Sequence, residues 1–552
     1  MLILKRIMVV AVVLMCMAAM PAIMCGAEHE EAPKHEMRGA WVATVYGIDW
    51  PNKTGTDAAT AKEQKRELCE ILDTLKNAGM NAVMFQVRSM SDAMYRSAYE
   101  PWSAYLTGTR GEAPVDGWDP LAFAVEEAHA RGMELHAWVN PFRLGTGSLP
   151  SAQRAASGKR TFSPVEKGWV ISFSKDSGKT AKTTKRGKKR VRSKTAASQK
   201  SMLSILDPGN EEARNHIVDV CSDIVTHYDV DGLIFDDYFY PDRLPLGGGY
   251  DFNEWKKQCV GKDGKPTMSQ ADWRRANVSA TIAAVREMLQ TQAPWVRFGI
   301  SPAGVGGGNG KATEPYGLTP PKVGDDWMYD RIYCNPIDWL HAGTVDYVSP
   351  QIYWASTHET NPYVPIAQWW AMVAHHFGRH CYPSQKVLAV AESATKAWAE
   401  QRLQAETNRA ASQGNDAGSV YYSTAHITGK KAAGLGAYLK QHIYSSHALM
   451  PPMQWKKMKN PGQIENLTRS GSELRWKNIE QMRYVVYAVP NELTPFDVLS
   501  ATGTNFMGEY IVAVTYTNSF SLPKDKCTGY WYAVAPYDRA GNEWEAAILN
   551  DK

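Results

Sequence analysis

The chain has 552 residues, of which 44% are hydrophobic and 21% charged, and carries a formal net charge of +4. That length exceeds one ordinary domain and predicts two or three. The hydrophobic share supplies a large core and excludes disorder as the general state.

The chain opens on Lys5 and Arg6, an apolar run from Ile7 to Met20, and the small residues Gly26 and Ala27. This pattern predicts a secretory signal over residues 1–27. It is too short and wrongly flanked for a membrane span. The protein is therefore expected outside the cytoplasm, in a periplasm or at a cell surface. Cys25 offers a lipid-anchor alternative, against which the bulky Met24 before it argues. The six later cysteines, Cys69, Cys221, Cys259, Cys334, Cys381 and Cys527, show no metal-ligand spacing.

From about Arg38 to Tyr422, strand-like apolar runs alternate with amphipathic helical stretches, as repeated βα units do. The runs fall at 38–44, 81–88, 133–140, 231–236, 296–302, 345–353, 386–391 and 419–422. Eight strands with helices between them predict an α/β fold, a closed (β/α)8 TIM-type barrel over residues 36–450. Between the third and fourth strands, Trp169–Phe173 and Met202–Leu206 read as the arms of a hairpin. Its tip is a basic insertion, 175–200, with eleven Lys and Arg against one acid, Asp176. The export signal argues against nucleic acid as its partner, and a solvated loop accounts for it. After Pro451, short strands such as Tyr484–Val489 and Tyr530–Ala535 predict a small all-β sandwich over 459–552, fibronectin type III-like, acting as a spacer or interaction surface.

Side chains alternate along a strand. Parity turns Gln86 and Arg88 inward on the second strand and His136, Trp138 and Asn140 on the third. It does the same for Asp236 on the fourth and for Tyr347, Ser349, Gln351 and Tyr353 on the sixth. Four strands thus bring polar side chains to one end, the C-terminal end, where barrel active sites lie. Asp236 and Asp237 close an apolar run, and Tyr238 continues it into an aromatic cluster. A carboxylate there is expensive unless a substrate, a cation or an ion-pair partner needs it.

Carboxylates among amides, rings, one Arg and one His suit cleavage of a glycosidic bond. The chain has no phosphate loop, nucleophile elbow or dinucleotide fingerprint, so no cofactor is expected. Asp236 and Asp237 face opposite ways on a regular strand. A second acid is therefore expected from Asp92, after the second strand, or Glu392, after the seventh. Failing both, an acetamido group of the substrate would act as nucleophile with Asp236 as general acid. Arg88 reads as a substrate ligand or an ion-pair partner of Asp236. His136 reads as a ligand or a hydrogen-bonded core histidine. Trp138 and Trp354 are sugar platforms if they reach the mouth and packing residues otherwise. His376 and His380 have metal-ligand spacing, yet an outer helix is expected there and they read as surface residues, so no metal site is assigned.

The run Arg38-Gly39-Ala40-Trp41-Val42-Ala43-Thr44-Val45, ending in Ile48-Asp49-Trp50-Pro51, resembles the opening motif of glycosyl-hydrolase-like family 10. Gln86-Val87-Arg88, Ala137-Trp138-Val139-Asn140-Pro141, Leu206-Asp207-Pro208-Gly209, Asp231-Gly232 to Pro241, Gly299-Ile300-Ser301-Pro302 and Ser349-Pro350-Gln351-Ile352-Tyr353-Trp354 follow in family order. The resemblance covers about residues 36–445. It implies an exported bacterial barrel enzyme, some of whose relatives cleave peptidoglycan strands that have lost their stem peptides. It also brings Asp236, Asp237, Arg88, Asn140, Gln351 and Tyr353 into the site, and implies a glycan polymer as substrate, with envelope or division proteins as partners of the C-terminal module. Two further readings stay open. One is a non-catalytic glycan-binding barrel. The other is a metal-dependent polysaccharide deacetylase, for which His136, Asp236 and Asp237 are the available ligands.

Overall fold

In the computed structural model the first strand, Glu36–Val42, pairs in parallel with the second, Ala82–Arg88, on one side. On its other side it pairs with the eighth, Ala417–Tyr422. The structure describes residues 33–174 and 202–549, apart from 237, 238, 243, 307, 322, 324, 325, 388–393, 413–415, 432 and 500–504. The third strand, Glu134–Val139, the fourth, Gly232–Phe235, and the fifth, Arg297–Ile300, continue the sheet. The sixth runs as Tyr347–Val348 and Gln351–Ile352, and the seventh as His380–Cys381 and Ser384–Lys386. Each is interrupted at a proline, Pro350 or Pro383, which has no N–H to continue a ladder. Tyr347 pairs with His380, Gln351 with Ser384, and Ser384 with Val420, so the ring closes into an eight-stranded parallel barrel.

The seventh strand begins six residues before its expected start at Lys386. Its inward residues are His380, Tyr382 and Ser384, of which His380 and Ser384 are polar and held by hydrogen bonds. The His380 ring meets the Tyr382 hydroxyl at 2.6 Å, and Ser384 accepts from the Trp41 indole at 2.8 Å. A hydrophobicity pattern does not register such a strand. His380 is accordingly a buried strand residue, while His376 is exposed at the end of the helix Tyr363–His376.

Alternation along the strands divides the core in two. Met37, Trp41, Met84, Trp138, Ile234, Tyr347 and Val420 fill the barrel. Val83, Phe85, Leu135, Ala137, Leu233 and Phe235 face outward onto Leu68, Leu72, Leu121, Ile217 and Ile282 of the surrounding helices. Four of these helices carry side-chain caps, Asp57, Asp119, Asn210 and Ser269, each accepting from first-turn N–H groups. Such a cap contributes about 1 kcal/mol. The arms Val170–Ser174 and Met202–Leu206 form the antiparallel hairpin between the third and fourth strands. Residues 175–201, which include the basic run, lie outside the described residues.

Beyond the barrel, Thr468–Ser470, Glu473–Arg475 and Ser519–Ser521 make a three-stranded antiparallel sheet. Ile511–Thr515, Arg483–Pro490, Tyr530–Tyr537 and Ala547–Ile548 make a four-stranded one. Tyr484, Val486 and Val534 of the larger sheet pack toward Leu474 and Trp476. Val485, Tyr487 and Ala535, on its other face, pack with Leu449, Val498 and Phe506.

These sheets also supply charge to the barrel floor, where the strands begin. Arg483 reaches Glu134 at 2.6 Å, and Arg297 of the fifth strand reaches the same carboxylate at 3.3 Å. Burial alone would raise the Glu134 carboxyl, but Arg297 and Arg483 outweigh it and hold it at about 2. Asp231 takes His129 at 2.8 Å and Arg539 at 3.1 Å, while the His129 ring stacks on Tyr516 at 3.8 Å. Gly132 has φ +70, and a Cβ there would sit 2.2 Å from the Val514 carbonyl oxygen, so the helix stop doubles as a contact with the C-terminal sheets. Among the described residues, no helix is long and apolar enough to cross a membrane.

Candidate active site

The end of the barrel opposite this floor opens into a cavity of about 540 Å³. Its described lining contains one carboxylate, Asp236, one cation, Arg143, and the rings of Trp41, Tyr46, Trp138, Tyr353 and Tyr422. Asp236 directly follows the fourth strand and is 2% exposed. Its Oδ2 accepts from the indole N–H of Trp138 at 3.1 Å and from the side-chain amide of Asn140.

The orientation of that amide follows from its neighbours. The backbone N–H groups of Thr44 and Val45 point at the outer end of the Gln86 side chain, both at 2.9 Å. A backbone N–H only donates, so the Gln86 atom facing them is its oxygen and its nitrogen faces Asn140. That nitrogen donates to Asn140 Oδ1 at 2.9 Å, which leaves the Asn140 nitrogen to meet Asp236. The turn after the first strand thus fixes, through two amides, a donor on the carboxylate of the fourth. Hydrogen bonds to the ionised form favour it.

Rings form the walls. Trp41 meets Trp138 edge-on at 4.8 Å, and Tyr353 stacks on Tyr422 at 5.5 Å. Tyr46, on the turn after the first strand, is 63% exposed at the rim. Beneath this rim the buried Asp49 ties two loops together, accepting from Ala43 N and Ser423 Oγ, each at 2.8 Å, and from Ala425 N at 2.9 Å. Burial leaves its carboxyl above the ordinary range despite these donors. Gln351 donates to the Ser301 carbonyl at 3.0 Å, and both residues line the cavity.

The cavity brings together Gln86, Trp138, Asp236, Gln351 and Tyr353, with Asn140 behind Asp236. Other expected residues lie elsewhere. Arg88 is fully buried and paired with Glu100, its Nε and Nη2 each at 2.7 Å from the carboxylate, not with Asp236. The pairing register slips between Gln86 and Arg88, which takes Arg88 off the inward row. Its Nη1 instead holds the Asn140 and Pro141 carbonyls from behind.

Asp92 lines a neighbouring cavity, and its Oδ1 accepts from Ser89 N, Ser89 Oγ and Met90 N of its own turn. His136 lies below Trp138 in the barrel, bonded to Tyr347 at 2.8 Å and Glu134 at 3.1 Å. It stands two residues earlier on the strand, about 6.6 Å deeper. Gly232 makes room for it, since a Cβ there would sit 2.6 Å from the imidazole. Trp354 packs toward the outer helix layer, as its alternation with Tyr353 requires. Asp237, Tyr238 and Glu392 lie outside the described residues. Among the described residues, no group of three or more His, Cys, Asp or Glu side chains is placed to hold a metal ion.

Sequence reasoning passed over Trp41, Tyr46, Arg143, Ser301 and Tyr422 as site residues. The parity of the first strand, with Met37 and Trp41 inward, would have found Trp41. The parity of the eighth strand, with Val420 inward, would likewise have found Tyr422. Tyr46 and Ser301 lie just past strand ends, and Arg143 opens a short strand outside the barrel, 143–146, where the barrel's parity does not apply.

The sequence model of the family described as Glycosyl hydrolase-like 10 matches residues 36–400 of the chain. Glycosyl hydrolase YngK of Bacillus subtilis (strain 168) is 32% identical over 424 residues, 76% of this chain and 74% of that protein. Glycosyl hydrolase DigH of Escherichia coli (strain K12) is 33% identical over 346 residues, 61% of this chain and 70% of that protein. Among solved structures, the PgaB (BpsB) glycoside hydrolase domain from Bordetella bronchiseptica is similar over 74% of this chain and 98% of its own, with 12% identity and a TM-score of 0.43.

Proposed function

The chain belongs to the Glycosyl hydrolase-like 10 family, and we propose that it is a glycosidase acting on glycan strands of the cell envelope, with peptide-free peptidoglycan strands as its substrate. The observation that carries this reading is Asp236, a carboxylate in a ring-lined cavity at the open end of the barrel, with an indole and an amide both donating to Oδ2. Those donors favour the anion. An anion at that place stabilises the positive charge that develops at the anomeric carbon as a glycosidic bond breaks. The rings offer flat faces to the C–H surfaces of sugars, and Gln351, Ser301 and Arg143 add polar groups to the wall. A second carboxyl would protonate the leaving oxygen, and Glu392 is the candidate. The secretory pattern of residues 1–27 supports an envelope location.

The test is incubation of the protein and of Asp236→Asn with purified peptide-free strands, followed by mass analysis. Hydrolysed fragments from the wild type, reduced about 10³-fold in the variant, support the reading. Three results overturn it: full activity in the variant, acetate release without strand cleavage, or binding without any cleavage.

A further inference from the structure

We infer that the sugar chain continues from the Asp236 cavity into a second, preformed subsite under Tyr105, which takes a further N-acetylated sugar of the polymer. This rests on the glycosidase reading and adds to it the path and length of the substrate. The second cavity measures about 210 Å³. Met90 and Thr146 line both it and the Asp236 cavity, so the two adjoin along the loops that follow the second and third strands. Tyr46 of the first and Tyr105 of the second meet edge-on at 5.3 Å, so rings of the two cavities stand side by side.

The second cavity is built before any ligand arrives. Arg110 donates to the Met90 carbonyl at 2.8 Å, the Ser91 carbonyl at 2.6 Å and Gln153 Oε1 at 2.7 Å, which fixes one side. The Tyr105 hydroxyl lies 3.6 Å from Met90 Sδ. Leu144, Leu149 and Phe162 supply the apolar part of the lining, and Asp92, Arg110, Ser148 and Gln153 the polar part. An apolar pocket with a few placed polar groups suits an acetamido methyl beside ring hydroxyls. Binding energy gathered at a remote unit is expressed at the reacting centre, so a longer substrate reacts faster once it reaches that unit.

The experiment compares N-acetylglucosamine oligomers of increasing length, together with peptide-free strands, on the wild type, Ser148→Trp and Glu166→Trp. Ser148 is an exposed loop residue lining the second cavity, where an indole fills the space. Glu166, likewise exposed between the third and fourth strands, serves as the control. Turnover and calorimetric binding are both measured. The expected result is a rise in kcat/KM of about 10-fold at the length that first reaches the second cavity. That rise should persist in Glu166→Trp and disappear in Ser148→Trp. Turnover that does not depend on length, or a dependence that Ser148→Trp leaves intact, overturns the subsite. Length-dependent binding that Ser148→Trp removes, without turnover, supports the subsite and refutes the glycosidase reading. Neither binding nor turnover refutes both.

Discussion

Trp138 and Asp236 stand on adjacent strands, with the indole N–H of one donating to Oδ2 of the other at 3.1 Å. The ring and the carboxylate therefore present themselves to the same ligand. Trp138→Phe keeps a ring and removes the donor, which disfavours the ionised carboxyl. The acid limb of the kcat/KM profile on glycan strands should move up by about one pH unit. An unmoved limb would mean that this carboxyl does not set it.

Gln86 governs the Asn140 amide without lining up on Asp236 itself. Gln86→Glu places an oxygen where a nitrogen now donates, so the Asn140 amide turns and offers its own oxygen to Asp236. Turnover should fall about 10²-fold. A circular dichroism spectrum and melting curve close to those of the wild type would separate this from unfolding. Unchanged turnover would show that the relay has no catalytic consequence.

Arg88 and Glu100 form a fully buried, doubly bonded pair behind Asn140. Burial alone would raise the Glu100 carboxyl, but Arg88 and His216 hold it at about 2. Glu100→Gln strands the guanidinium and should destabilise the fold by about 3–5 kcal/mol in urea unfolding. The double variant Arg88→Met with Glu100→Leu should lose less than the two single losses added together.

Acid should unfold the protein in two stages. His380 and His447 are pushed down by burial to about 3 from an ordinary 6.5. The unfolded chain binds those protons first, so stability declines as pH falls below 6.5. Glu100 and Glu134 are held at about 2 against an ordinary 4.5. Their stabilisation is complete above 4.5 and is lost as pH falls toward 2. From these groups, melting temperature should slope gently downward as pH falls below 6.5 and drop steeply below 4.5.

The C-terminal sheets hold the barrel floor through Arg483 and Arg539. Arg483→Met leaves Glu134 with Arg297 and His136 alone and should destabilise the barrel by about 3 kcal/mol. A melting curve in which only the C-terminal sheets lose stability would contradict this coupling.

Sequence alone determined the alternating barrel and which strand residues point inward. A period of two is local and survives any arrangement of the sheet, so Gln86, Trp138, Asp236, Gln351 and Tyr353 were legible as cavity residues. Tertiary structure decided everything that depends on position along the barrel axis or on the course of a loop. Strand depth put His136 in the barrel's interior. A register slip turned Arg88 to Glu100. The seventh strand proved polar inside, because hydrogen bonds to Tyr382 and Trp41 replace apolar contacts that a sequence pattern could have signalled. Closure of the ring then set Tyr46 and Tyr422, distant in the chain, on one rim, since only the pairing of the first and eighth strands makes them neighbours.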